Sequence, residues 1–181
     1  GDCGILKSFR DWAYNRGETI RATTSFLMAD STTPDGDYIK PQTNPTNTDC
    51  WNGKAYTPLN QLTPGRTKYG TNNNVRIFRY ADVLLMNAEA KIKNGKSGDA
   101  PFNEVRRRAQ MPELTNVTFE QVIDERRMEL VCEWGERYND LVRTGLAKTE
   151  LKGWSEDKAL LPLPFNQYTQ IPDLLKEPKD E

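Results

Sequence analysis

In the stretch "QVIDERRMELVCEWGERYNDLVRTG" from residue 121, the glutamates Glu125, Glu129 and Glu133 recur at every fourth position, with four arginines among them. Carboxylates carry protons and guanidinium groups bind anions, so this is where chemistry is sought first. At 100° per residue, Phe119, Ile123, Leu130, Trp134, Tyr138 and Leu141 form one apolar stripe of a long helix. Arg127 and Arg137 fall inside that stripe, and Arg126 lies at its margin. Like charges four residues apart destabilise an isolated helix. Both oddities resolve if the helix packs among others of opposite charge. Arg106, Arg107 and Arg108 of a preceding helix are placed to face the glutamates, and Glu89 to meet Arg127 or Arg137. A guanidinium binds a carboxylate through two parallel hydrogen bonds, which suits a partly buried site. Such pairs fix register more reliably than they add stability. Glu89, Arg127, Arg137, Glu129 and Glu133 are therefore read as a structural ion network, with no catalytic residue among them.

Other chemistry is thinly provided for. The chain has no histidine, which removes Ser-His-Asp and Cys-His nucleophile systems and the common zinc sites. Cys3, Cys50 and Cys132 lack metal-ligand spacing. A Cys3–Cys50 disulfide is one option that export would permit. Cys132 lies roughly opposite the apolar stripe and is expected to do no chemistry. Asp30, Asp35 and Asp37 in "DSTTPDGDYI" are oxygen donors, but they do not fit the twelve-residue calcium loop and read as a turn. No metal and no cofactor is expected.

The elements that must position these groups divide near residue 75. Residues 1–75 are rich in Thr, Asn, Asp, Gly and Pro and carry turn dipeptides such as Asp35–Gly36 and Asn52–Gly53. Trp12, Tyr14, Tyr38, Trp51, Tyr56 and Tyr69 stand among these polar residues, and "TIRATTSFLM" reads as a strand. Residues 76–181 form a helical part with a proline-rich close. In "RIFRYADVLLMNAEAKIKNG", Ile77, Ala81, Leu84, Leu85, Ala88 and Ile92 share a face, and Asn94–Gly95 ends the helix. A shorter helix starts at an Asp99 N-cap and is stopped by Pro112. Thr118 and Gln121 have capping-box spacing ahead of the long helix, which runs to Gly145. "LLPLP" is expected to be extended, followed by a short turn of helix near Asn166–Tyr168.

Composition bounds the partners. The 181 residues carry 25 basic and 26 acidic side chains, net −1. That balance offers no basic field for nucleic acid and no polybasic membrane anchor. No run of ~18 apolar residues exists to span a bilayer. Only 36% of residues are hydrophobic and the mean hydropathy is −0.80, poor material for a core.

"RYADVLLMNAEA", "FNEVRRRAQMP", "ERRMELVCEWGERYNDLVRTG" and "LLPLPFNQYTQIPDLLKEP" resemble, in order, the C-terminal part of the SusD/RagB family. Three departures stand out: Gln110 sits where Gly usually follows Arg-Ala, Trp134–Gly135 where Glu-Gly often stands, and the sequence closes with "KEPKDE" rather than an Asn-Pro-Gly-Tyr-like tail. The resemblance implies a mainly α fold with tetratricopeptide-like helix packing, long irregular loops and short extended segments. It implies that this chain is a C-terminal fragment of a longer, outward-facing outer-membrane lipoprotein. Its lipid anchor would lie outside this sequence. Such a protein captures an oligosaccharide or other nutrient and delivers it to a SusC-type TonB-dependent transporter, without catalysis. Under that implication the loop aromatics become ligand-binding candidates: a sugar's C–H face stacks on an aromatic ring while amides bind its hydroxyls. The candidates are Trp51 and Asn52 with Tyr56, then Tyr38, then Trp12 with Tyr14. The same rings serve equally to fill the interior of irregular loops. A helical glycoside hydrolase, which needs two carboxylates across a cleft, and a tetratricopeptide-like peptide scaffold, which needs about three repeats, are the alternatives.

Overall fold

The computed structural model describes residues 4–41, 48–65, 71, 73–74, 76–160 and 165–170. The chain is mainly α-helical, as its periodicity predicts, and it divides into two compact units, Gly1–Arg137 and Tyr138–Glu181.

The first unit opens with β1 (Gly4–Leu6), α1 (Lys7–Asn15), α2 (Ile20–Ser25) and β2 (Phe26–Met28). A hairpin of β3 (Ser31–Thr32) and β4 (Tyr38–Ile39) follows, then β5 (Thr48–Asn52). β5 lies between β1 and β2, antiparallel to both, with Cys50 opposite Ile5 and Met28. The run "TIRATTSFLM" is thus a strand only over its last three residues. Ahead of them it is helical, because the Thr23 and Thr24 hydroxyls donate back to the Ile20 carbonyl and Arg21 is held by buried glutamates. Tertiary contact overrides the strand preference of the β-branched residues. Ile5, Ala13, Ala22, Phe26 and Cys50 form a small core with Met128 of α5 (Phe119–Glu129).

A second core joins α5 to α3 (Tyr80–Lys93) and α4 (Asp99–Arg108) through Leu84, Leu85, Ala88, Phe102, Val105 and Val122. Ile77, expected on this face, precedes the helix and is 64% exposed. Asn94 and Gly95 end α3 with Gly95 in the left-handed region, φ 68°. Asp99 is the first residue of α4 rather than its cap. Its carboxylate accepts the N–H groups of Asn116 and Val117 at 3.0 and 2.9 Å, tying the next loop to the helix start. α4 stops at Gln110, which takes the left-handed conformation that glycine usually supplies there, φ 55°. Its N–H donates to the Arg107 carbonyl and that of Met111 to the Arg106 carbonyl, a Schellman end. Thr118 and Gln121 make the expected reciprocal capping box on α5.

The expected long helix is two helices. α5 ends at Glu129, and α6 (Glu136–Arg143) begins after a tight turn. Cys132, Trp134 and Gly135 all have positive φ there, 59°, 40° and 74°. The apolar spacing continues through the turn and conceals it, but Gly135 admits a backbone that no helix uses. In the second unit, α6 ends as its Thr144–Gly145 signal predicts, with Gly145 at φ 76°. The Asp140 carboxylate accepts from Arg143 at 2.6 Å, and the Tyr138 hydroxyl donates to the Lys158 carbonyl. α7 (Ala147–Glu150) and α8 (Phe165–Gln170) follow, the latter covering the helical turn expected at Asn166–Tyr168. "LLPLP" lies mostly outside the described residues, as do Cys3 and Tyr69.

Candidate functional site

Glu125 and Glu129 of α5 are buried, Glu133 in the turn after it is half-buried, and all three are ion-paired. Glu125 accepts from Arg21 at 2.5 Å, Arg16 at 2.7 Å and Arg106 at 2.9 Å. Glu129 accepts from Arg79 at 2.7 Å, Arg108 at 2.5 Å and Arg21 at 3.1 Å. Glu133 accepts from Arg79 at 2.7 Å and Lys54 at 2.6 Å. A repulsive row is thereby converted into a strap holding α2, α4, the start of α3 and the turn after β5. Burial disfavours a charged Glu125, yet Arg21, Arg16 and Arg106 outweigh it and hold the carboxyl below its ordinary range. Glu133 moves the same way: burial opposes its charge, but Arg79 and Lys54 prevail. Arg107 instead meets Glu113 at the surface, and Arg126 meets Asp82 at 2.6 Å. The Arg127 guanidinium covers the Trp12 ring, 4.4 Å from the centroid. Glu89 and Arg137 are both half-buried.

Against one end of this strap lies an open cleft of about 710 Å³. Asn52, Lys54 and Tyr56 form one side, Asn73, Asn74 and Arg76 another, and Glu133 and Trp134 a third. Each is positioned by local structure. The Asn52 Oδ1 accepts the Lys54 N–H at 2.9 Å and caps the short 3-10 turn Gly53–Ala55. A Cβ on Gly53 would come 2.2 Å from the Thr24 carbonyl oxygen, so only glycine lets this turn lie against α2. The Tyr56 hydroxyl donates to Asp37 Oδ2 at 2.5 Å, which anchors the ring to the β3–β4 hairpin. Burial, then that hydrogen bond, raises the phenol above its ordinary pKa. Asn73 Nδ2 donates to Thr57 Oγ1 at 3.0 Å. Trp134 is 62% exposed, and its Nε1 donates to the Arg76 carbonyl at 2.5 Å. A ring held by its nitrogen and open elsewhere is a stacking surface.

Of the loop candidates, Asn52 and Tyr56 line this cleft. Trp51 is half-buried beside them, its Nε1 donating to the Lys40 carbonyl at 3.1 Å. Tyr38 is exposed on the hairpin and donates to Asp30 at 2.6 Å. Trp12 and Tyr14 lie elsewhere, on α1. Trp12 stacks on Phe9 and carries Arg16 and Arg127 on its ring, while Tyr14 packs edge-on against Phe26. Trp12 packs against the small core, whereas Tyr14 is 47% exposed. Trp134, Asn73, Asn74 and Arg76, which also line the cleft, are not among the loop candidates. Trp134 was hidden because helical spacing assigns it to an apolar stripe; its one signal was the unusual Trp-Gly pair. Cys132, set aside as inert, stands on the cleft wall.

The cleft offers a planar ring, amides, hydroxyls and a guanidinium. These groups can bind a hydroxylated ligand; Lys54, whose ammonium burial pushes below its ordinary pKa, and Cys132 share the wall. Glu133, the acidic residue of its wall among the described residues, is occupied by Arg79 and Lys54. Among the described residues no cluster of three Cys, Asp or Glu side chains is arranged to hold a metal, and no helix is long and apolar enough to cross a membrane.

The sequence profile of the SusD family matches residues 5–173. "SusD-like protein P38" of Formosa agariphila is 33% identical over 119 residues, covering 56% of this chain and 24% of that protein. "Starch-binding protein SusD" of Bacteroides thetaiotaomicron is 36% identical over 81 residues, covering 44% of this chain and 14% of that protein. Among solved structures, surface glycan-binding protein A from Bacteroides thetaiotaomicron superposes with a TM-score of 0.75 at 29% identity, covering 96% of this chain and 40% of that one. Surface glycan-binding protein A from Bacteroides uniformis gives 0.65 at 27% identity, over 86% and 37%. The chain thus spans a quarter or less of the curated relatives it matches.

Proposed function

The chain belongs to the SusD family, and from that premise we propose that it is part of a cell-surface glycan-binding protein. It captures an oligosaccharide and delivers it unchanged to a SusC-type TonB-dependent transporter. It faces outward from the outer membrane, held there by a lipid anchor. Two relatives are named as surface glycan-binding proteins and one as a starch-binding protein, which supports capture rather than turnover. The carrying observation is the open cleft that sets the exposed Trp134 ring beside the amides of Asn52, Asn73 and Asn74. A sugar stacks its C–H face on the indole, and the amides donate to and accept from its hydroxyls. Of the aromatics outside the cleft, Trp12 and Tyr14 on α1 act in packing under this reading.

The test is an oligosaccharide array of neutral and acidic glycans, then calorimetry on the best ligand with Trp134→Ala. A stacked ring contributes ~1–3 kcal/mol by analogy with bases on aromatics, so the substitution weakens binding about ten-fold. The glycan must emerge intact, as chromatography of the incubated ligand would record. Binding unaffected by Trp134→Ala would remove the cleft from the site. Co-purification of a TonB-dependent transporter from outer membranes tests the delivery step; recovery of the protein alone would count against it.

A further inference from the structure

Next to the Trp134 cleft, and sharing Lys54, Tyr56, Arg76 and Glu133 with it, is a notch of about 320 Å³. Three observations distinguish it. First, its cations outnumber its carboxylates: Arg21, Lys54, Arg76, Arg79 and Arg108 against Glu129 and Glu133. The strap behind it is also positive. Six cations (Arg16, Arg21, Lys54, Arg79, Arg106, Arg108) meet four carboxylates (Glu18, Glu125, Glu129, Glu133), leaving two positive charges in excess. Arg76 adds a third, in a chain whose net charge is −1.

Second, donors remain unspent. Arg21 and Arg79 direct theirs at glutamates. Arg108 uses only Nη2, on Glu129, and the exposed Arg76 guanidinium makes no ion pair among the described residues. Third, Ser25 is 1% exposed, lines the notch, and its Oγ has no hydrogen-bond partner. A buried hydroxyl left unsatisfied asks for an acceptor.

We propose that this notch takes the anionic substituent of an acidic oligosaccharide, a carboxylate or a sulfate ester, whose sugar ring stacks on Trp134 in the adjoining cleft. The inference rests on the glycan-binding reading. Arg76 and Arg108 donate to the anion's oxygens in the fork geometry that guanidinium groups offer. The Ser25 hydroxyl donates a further bond. The ion-paired glutamates set the positions of the surrounding cations, so that anion binding requires no rearrangement of the strap.

The experiment compares matched ligands by calorimetry at low and high salt. One pair is oligogalacturonate and its methyl ester; the other is a sulfated carrageenan oligosaccharide and its desulfated form. The expected result is tighter binding of the acidic member of one pair, weakened by salt. Which pair shows it distinguishes carboxylate from sulfate. Arg76→Gln removes that preference, weakening the acidic ligand about ten-fold more than its neutral partner, with the melting temperature unchanged. Arg76 has no ion pair to lose, so the variant folds. Ser25→Ala gives a smaller loss in the same direction. Equal binding of acidic and neutral partners, with no effect of Arg76→Gln, overturns the inference and leaves glycan capture standing. Failure of every glycan, neutral or acidic, overturns both.

Discussion

Glu125 has three guanidinium partners and no exposure, so its charge is sustained entirely by the protein. Its carboxyl is depressed below the 4.5 it would show in the unfolded chain, because the arginines outweigh burial. A depressed carboxylate contributes stability that is present above its unfolded pKa and is lost as pH falls through the folded value. Urea denaturation followed over pH should therefore show stability falling as the medium drops below 4.5, with Glu133 contributing in the same sense. Glu125→Gln should flatten that fall and cost ~3–5 kcal/mol at neutral pH, the usual penalty for stranding buried charge. An unchanged acid profile would refute the assignment. That these glutamates need cations was legible from their spacing, and Arg106 and Arg108 were legible as two of the sources. Arg16, Arg21, Lys54 and Arg79 were not. They come from distant segments, and no local pattern marks an arginine as pointing inward.

At the scale of elements, the punctuation is legible in the sequence where it depends on chemistry within one turn. The capping box at Thr118 and the stops at Gly95 and Gly145 all depend on residues within a turn of each other. It is concealed where backbone conformation runs against residue type. Cys132 and Trp134 hold left-handed backbone without being glycine, which costs of order 1–3 kcal/mol each. The Glu133 ion pairs and the Trp134 bond to Arg76 lie in the same turn and offset this. The strain sits at the cleft, and it is what turns the indole out of the helix stripe. Gln110 holds a similar conformation with no cleft to serve. Gln110→Gly should raise stability by ~0.5–1 kcal/mol, read as a higher thermal midpoint, since glycine takes left-handed backbone freely. A lower midpoint would mean that the Gln110 side chain contributes something the backbone argument omits.

At the scale of the molecule, low hydrophobic content is met by dividing the first unit between two small apolar clusters, one around Ile5 and Phe26 and one around Leu85 and Phe102. α5 enters both, through Met128 and Val122, and its glutamates supply the polar seam. The seam has a consequence in time. Arg106 and Glu125 are 19 residues apart in the chain, whereas Arg21 and Glu125 are 104 apart and Arg16 and Glu125 are 109 apart. Closing the shorter loop costs less chain entropy, so α3, α4 and α5 should assemble first and the N-terminal segments dock afterwards. Stopped-flow refolding can separate the two ends of the seam. Arg106→Met should slow folding, while Arg21→Met should leave the folding rate nearly unchanged and speed unfolding. The opposite pattern would mean that the N-terminal sheet nucleates the fold. If the expected order holds, a nascent helical trio waits with Glu125 and Glu129 only partly paired, and the arginine of α2 is the latch that closes last.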